Sequence, residues 1–232
     1  RLGLVTAALT ASSCSGSAKR PLPLLQSEVT GHTIEADSPL RAKHLVKEVS
    51  YLCSERFAGR GSYQEGGKKS ADYVVEELEE LGYDVRRQVV RAPYAENIIA
   101  VKWGFGGAES KAAQTAIMVS AHHDHLGVDA SGAMYPGADD NASGLSVMLA
   151  IARANQGVQH RHSIVFAAFG AEEDGLVGSA AFIRDPQWPL DKISAVVNFD
   201  MVGRNFFEAG SDKESTCGVV GLEGSPRARD LL

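Results

Sequence analysis

Cysteine is scarce in this chain: Cys14, Cys53 and Cys217 are the only three in 232 residues. They are too few and too scattered for a disulfide framework or a thiolate zinc site, either of which needs close, paired spacing. A single Cys53–Cys217 bridge stays open. Basic runs are absent and the net charge is −6. A nucleic-acid backbone is therefore excluded as the main partner, because neutralising phosphates takes an excess of Lys and Arg on one face. Internal repeats are absent, as are low-complexity tracts beyond the first twenty residues. The apolar stretch near the amino terminus, Leu2 to Ala11, is too short to cross a bilayer.

With 44% hydrophobic and 22% charged residues, the chain can build one large globular domain around a well-buried core. Its amino terminus differs from the rest. Arg1 precedes the apolar stretch, and Ser12, Ser13, Cys14, Ser15, Gly16, Ser17 and Ala18 follow it. This resembles the apolar and cleavage regions of an export signal, although an ordinary apolar first helix is the alternative. Residues 1–18 are accordingly read as an export signal, 19–40 as a linker and 41–232 as the folded domain. The expected location is periplasmic, cell-envelope or extracellular. Cys14 is a candidate lipidated residue of a bacterial lipoprotein, which would attach the protein to a membrane; Ala11 matches the usual leucine of a lipobox only weakly. A start without Met and a stop inside structured-looking sequence read as a fragment.

Periodicity supplies the elements. Arg41 to Ser54 places Leu45, Val46, Val49, Leu52 and Cys53 at helical spacing, and Glu65 to Leu81 does the same with Ala71, Val74, Val75, Leu78 and Leu81 before a capping Gly82. Asp84 to Arg91 and Asn97 to Trp103 read as strands, and a Gly-rich turn follows. Ala142 to Ala154 is helical in period and joins two apolar runs, Ala116 to Ser120 and Ile164 to Phe169; a third run is Ala195 to Val197. Such runs suit buried parallel strands. Strand, helix, strand in this order predicts a right-handed crossover and an α/β fold, a three-layer α/β/α sandwich on a mixed, mainly parallel sheet.

Acidic and imidazole residues collect at the ends of these runs, where open α/β sheets gather their ligands. His122-His123-Asp124-His125 follows the first run, Ala171-Glu172-Glu173-Asp174 the second and Asp200 the third, while Asp139-Asp140-Asn141 precedes the helix. Each group has a bland reading. The histidines could form a surface turn, and the Asp-Asp-Asn-Ala-Ser group could cap a helix. The glutamates and Asp200 could be turn residues. Capping, however, needs one such side chain rather than four, and adjacent carboxylates after a buried strand repel unless a positive charge lies beside them. A metal supplies that charge. In an extended segment His122 and Asp124 share a face while His123 points elsewhere, so Asp124 can fix the tautomer of a metal-binding His122.

The motifs His-X-Asp-His-Leu-Gly at 122–127, Pro-Gly-Ala-Asp-Asp-Asn-Ala-Ser-Gly at 136–144, Phe-Gly-Ala-Glu-Glu-X-Gly-Leu-X-Gly-Ser at 169–179 and Asp-Met-Val-Gly-Arg at 200–204 occur in one order. In this the chain resembles the dizinc exopeptidases that include bacterial leucyl aminopeptidase, aminopeptidase Y and glutamate carboxypeptidase II. Upstream, Arg56-Phe57-Ala58-Gly59-Arg60-Gly61 looks like the secreted bacterial members, and the similarity covers residues 42–204. The resemblance implies two Zn2+ ions and a peptide substrate. His122 and Asp200 would bind one zinc, Asp140 would bridge both, and Glu173 would bind the second. Asp124 would orient His122, and Glu172 would take a proton from the metal-bridging water and pass it to the leaving amine. A cis Asp140–Asn141 peptide is also implied. The family's second zinc takes a further His near the carboxyl end, and this chain has none after His162; truncation is the expected reason, and the second site is expected to be incomplete here. His125, His160 and His162 are set aside as substitutes on position. The activity expected is that of an aminopeptidase. A carboxypeptidase or amide hydrolase on the same fold, and a non-catalytic binding ectodomain, are the alternatives; a single-zinc glutaminyl-cyclase-like enzyme is disfavoured by the ligands present.

Overall fold

A computed structural model describes residues 37–204 together with the backbone of two short strands, β1 (Ala7–Leu9) and a last one at Val219–Val220. The remainder of the segment read as an export signal, Cys14, and Cys217 with its candidate bridge to Cys53 lie outside the described residues. Among the described residues no helix is long and apolar enough to cross a membrane.

Helix α1 (Ala42–Leu52) buries Leu45 and Leu52, with Val49 and Cys53 partly covered. Val46, expected on that face, is exposed. The buried stripe steps 45, 48/49, 52, so it is Glu48 that turns inward, and it does so because partners await it. Tyr73 Oη donates to Glu48 Oε1 at 2.6 Å, and the Arg153 guanidinium joins Glu48 to Glu77. Burial and the Glu48 carboxylate together push the Tyr73 hydroxyl well above the usual phenol range. Helix α2 (Glu65–Glu80) buries Ala71, Val74, Val75 and Leu78 as its period requires. It ends in a Schellman pair: Gly82 N–H donates to the Glu79 carbonyl at 2.8 Å and Tyr83 N–H to that of Leu78 at 3.2 Å. Gly82 takes φ +79 to make that turn, a conformation costly to any residue with a Cβ.

The strands that follow are β2 (Asp84–Arg91), β3 (Ala95–Lys102), β4 (Ala116–His122), the short hairpin pair β5 (Gly127–Val128) and β6 (Met134–Tyr135), β7 (Ser163–Phe169), β8 (Ile193–Phe199) and β9 (Val219–Val220). Helix α3 (Gly144–Ala154) crosses from β4 toward β7, and α4 (Val177–Arg184) follows β7. Among the described residues the main sheet has seven strands in the order β2-β3-β7-β4-β8-β1-β9. Its centre is parallel, β7 and β8 each lying parallel to β4, while β2 and β3 run antiparallel at one side and β1 is antiparallel to β8.

Alternation along the strands divides the core in two. Ile98, Ala100, Val119, Ala121, Phe166 and Ala168 face α1, α2 and α3, whereas Ile99, Val101, Met118, Val165 and Ala167 face Phe182 of α4 and Trp188. The expected three-layer α/β/α sandwich on a mixed sheet is what forms. Helix α3 begins two residues later than the period implied. The residues before it, Ala138–Ser143, make a distorted turn that contains a cis Asp140–Asn141 peptide, as the resemblance implied.

Register is what this fold contributes to a site. In the parallel pairs His122 lies opposite Phe169, and Ser120 opposite Asn198, so His122 is level with Asp200 one step beyond β8. Below those ends, Arg60 is fully buried and has no carboxylate within bonding distance among the described residues. Its guanidinium donates to the carbonyls of Leu52 at 2.9 Å, Pro136 at 2.8 Å and Gly137 at 2.8 Å, and its own carbonyl accepts the N–H of His125 at 3.1 Å. It thus fastens the end of α1 to the turn that leads into Asp140. Replacing a buried guanidinium with an apolar chain orphans those carbonyls, at a cost of roughly 1–3 kcal/mol for an unsatisfied buried group. Arg60→Met is expected to lower stability by about 3 kcal/mol, read as a lower urea midpoint at unchanged slope. An unchanged midpoint would show that the carbonyls find other partners.

Candidate metal centre

The site starts from His122, the last residue of β4, whose ring is almost wholly buried. Its Nδ1 faces Asp124, 3.2 Å from the backbone carbonyl and 3.6 Å from Oδ1. With acceptors on that side the neutral ring keeps its proton on Nδ1, which leaves the Nε2 lone pair outward for a metal. His123 points the other way, as alternation demands, with Nε2 2.9 Å from the Glu96 carbonyl. Burial lowers its pKa, which keeps that ring neutral.

Asp124 is completely buried, and its carboxylate is shared. It accepts from Ser62 Oγ at 2.8 Å and from the backbone N–H groups of Glu172 at 3.2 Å and Glu173 at 3.3 Å. Burial alone would raise its pKa. The His122 hydrogen bond, the neighbouring imidazoles and Ser62 outweigh it and hold the group at about 2. Asp124 therefore remains ionised while it pins the loop after β7 against the end of β4.

Around His122 Nε2 lie Asp140 Oδ1 at 3.1 Å, Asp200 Oδ1 at 3.5 Å and Glu172 Oε2 at 3.8 Å. Both His122 Nε2 and Asp200 Oδ1 are buried atoms without a hydrogen-bond partner among the described residues. Two orphaned polar atoms aimed at one point are costly unless something occupies that point. Ligands about 2.0–2.1 Å from a tetrahedral zinc stand about 3.3 Å apart, and the observed 3.1 Å and 3.5 Å bracket that spacing. The carboxylates also call for positive charge. In the metal-free protein burial pulls the His122 pKa down, but the nearby carboxylates of Asp124, Asp140 and Asp200 outweigh it and raise the ring to about 12. One imidazole and two carboxylates make a donor set suited to zinc, and the group His122, Asp140, Asp200 fits such an ion.

A second group shares Asp140: His125, Asp140 and Glu173 also bring one ligand atom each within reach of one ion. His125 Nδ1 lies 2.6 Å from Glu173 Oε1. Sequence position had set His125 aside, yet the chain turns after Asp124 and brings it here. His160 and His162 are elsewhere, at the start of β7, where His160 Nε2 meets Asn155 Oδ1 and His162 Nδ1 meets Thr115 Oγ1, both at 2.6 Å.

Glu172 and Glu173 diverge, the first toward His122 and the second toward His125. Burial is the main cause that raises the Glu172 pKa, and the carboxylates of Asp200, Asp124 and Glu173 add to it against the pull of His122. A carboxylate of raised basicity beside the ligands suits proton transfer. A cleft of about 240 Å³ opens over it, lined by Ser120, His122, Phe169, Glu172, Leu176 and Asp200 among others.

Capping was too modest a reading of Asp139-Asp140-Asn141-Ala142-Ser143. Asp139 Oδ1 accepts from Gly203 N–H at 2.8 Å and its Oδ2 pairs with Arg204 Nε at 2.6 Å. Asn141 Nδ2 donates to the Phe199 carbonyl at 2.9 Å, while its Oδ1 accepts from Gly144 N–H at 3.0 Å. Ser143 Oγ accepts from Val202 N–H at 3.0 Å. Three side chains of one turn thus bind the segment that carries Asp200. The surplus of polar residues over what a cap needs was the signal for them. Ser62 and Arg60 carried no chemical signal of their own.

Comparison with known proteins places the chain in a family. The family model described as Peptidase family M28 matches residues 97–216. Leupeptin-inactivating enzyme 1 of Streptomyces exfoliatus is 30% identical over 204 residues, which is 86% of this chain and 41% of that protein. Aminopeptidase YwaD of Bacillus subtilis is 40% identical over 94 residues, covering 40% of this chain and 19% of its own length. The chain thus spans about two-fifths or less of these relatives. Among solved structures, LapA from Legionella pneumophila superposes with a TM-score of 0.58 at 22% identity, over 70% of this chain and 44% of that one. BSAP, a zinc aminopeptidase from Bacillus subtilis, does so with a TM-score of 0.54 at 19% identity, over 68% of each chain. Because the matched span contains every strand end at which His122, Asp140, Glu172, Glu173 and Asp200 converge, the chain belongs to peptidase family M28.

Proposed function

We propose that this chain carries the catalytic centre of a zinc aminopeptidase that binds two ions and removes amino-terminal residues from peptides. The observation that carries this reading is the pair of orphaned atoms, His122 Nε2 and Asp200 Oδ1, aimed with Asp140 at one point beside Glu172. Relatives named aminopeptidase YwaD and leucine aminopeptidase 2 support the choice of peptide end.

In this reading His122, Asp140 and Asp200 hold one zinc, and Asp140 with Glu173 holds the other. Bound there, zinc supplies Lewis acidity, polarising a carbonyl and acidifying water. The protein's own residues do the rest. Asp124 fixes the His122 ring with Nε2 outward. Glu172, its basicity raised by burial and by neighbouring carboxylates, accepts a proton from the attacking water and returns it to the departing amine. The adjoining cleft admits the scissile peptide beside that carboxylate. We further propose that residues 1–18 export the protein from the cytoplasm and that Cys14 anchors it by lipidation; composition alone supports this.

In the full-length protein Glu172→Gln is expected to keep the zinc content of the parent and to lower kcat by about 10²–10⁴-fold, the worth of a general base. Retained turnover sinks the assignment. Asp140→Ala, which removes a ligand from both groups, is expected to lose zinc and activity together, measured by metal analysis of the dialysed protein. On aminoacyl fluorogenic substrates run beside amino-blocked peptides, only those with a free amino terminus are expected to be cleaved; hydrolysis of the blocked set alone reassigns the enzyme as a carboxypeptidase. Fractionation of cells that express the chain without residues 1–18 is expected to leave it in the cytoplasm, and unchanged export removes the signal assignment.

A further inference from the structure

His125 is held on three sides. Its N–H is bonded to the Arg60 carbonyl at 3.1 Å, and its ring lies on Gly137, where any Cβ would come within 2.5 Å of ring atoms Cγ and Cδ2. Its Nδ1 meets Glu173 Oε1 at 2.6 Å. The ring is mostly buried, and the same glutamate has its backbone N–H fixed by Asp124 at 3.3 Å. A separation of 2.6 Å is a charge-assisted hydrogen bond, well short of the roughly 3.3 Å that separates two ligands of one tetrahedral zinc. The spacing around His122 is of the second kind and that around His125 of the first.

We propose that His125 is a positioning residue for the second metal site, donating from Nδ1 to one oxygen of Glu173 so that the carboxylate's remaining lone pairs face Asp140 and the ion they share. This rests on the two-ion reading above and extends it. The segment 122–125 then serves both sites: Asp124 sets the orientation of His122 for one ion, and His125 sets that of Glu173 for the other. Outer partners of metal ligands typically govern affinity by about 10–100-fold, so the interaction has a measurable consequence that an ordinary surface ion pair lacks.

The test is a zinc titration of the full-length protein, in which the second site is expected to have its further His, with stoichiometry and both affinities read by calorimetry, for the parent, His125→Ala and His125→Asn. Asparagine places an N–H donor near the position of Nδ1 but is a poor zinc ligand. His125→Ala is expected to weaken the second ion by about 10–100-fold and leave the first unchanged, and His125→Asn to recover most of the loss. Equal affinities in parent and His125→Ala overturn the proposal. So does a His125→Asn variant as weak as His125→Ala whose cobalt-substituted form has lost an imidazole in X-ray absorption, since His125 is then a ligand. A parent that takes a single ion overturns it too while leaving His122, Asp200 and Glu172 in their roles. A parent that takes no ion overturns the functional reading itself.

Discussion

Negative charge in a confined place is the constraint on which this structure turns. Asp124, Asp140, Glu172, Glu173 and Asp200 gather around two imidazoles at the ends of three parallel strands. Two like unit charges 4 Å apart cost about 4 kcal/mol at the effective dielectric of a protein surface, so the cluster needs compensation from somewhere. For Asp124 it comes from the protein, through Ser62 and two backbone N–H groups. For Asp140 and Asp200 the imidazole within ion-pair distance among the described residues is His122, and those carboxylates raise the proton affinity of its ring in the metal-free state. A divalent cation meets the remaining need for compensation.

Such a cluster forms only if the backbone forces it, and two devices do so. Parallel register brings His122, the Glu172 loop and Asp200 to one level without any side chain having to attract another. The loops are then tied to each other by groups that never touch an ion: Asp139, Asn141 and Ser143 hold the Asp200 segment, while Arg60 holds the turn before Asp140. Arg60 binds carbonyls, which carry no net charge. Burial lowers the Arg60 pKa, while Cys53, Asp124 and Asp140 act to raise it, so its charge is coupled to those of the carboxylates.

Most of this was legible before any coordinates. Strand ends, helix α2 and its Gly82 cap followed from period and glycine placement, and the candidate ligand set rests on residue types at strand ends joined to a family resemblance. Three things were hidden for physical reasons. Val46 and Glu48 exchanged roles because helical spacing marks a face but not its edge, and a carboxylate with Arg153 and Tyr73 waiting can be buried more cheaply than an unpaired one. His125 was set aside on position, as a substitute for a His expected far toward the carboxyl end, whereas a turn after Asp124 sends its ring to Glu173. Arg60 and Ser62 act through hydrogen bonds to distant backbone and side chain, and pairing across more than sixty residues leaves no local pattern to read.

Exposure grades through the site in a way that separates its two kinds of residue. Asp124, which orients, is sealed at 0% exposed, as is the His122 ring it directs at 3%, whereas Asp140 and Asp200 stand at 33% and 39% and Glu172 at 28%. A buried base cannot drift, because each of its hydrogen bonds would be lost to no solvent replacement. An open rim can accept ions and substrate, and its charges repel one another until they do. The centre is consequently rigid where direction matters and incompletely satisfied where binding matters. Glu172 sits at the boundary: close enough to the sealed side for burial to raise its basicity, open enough for a proton to leave. Shifting it one residue along the loop would lose one property or the other, since Glu173, its neighbour, is already committed to His125.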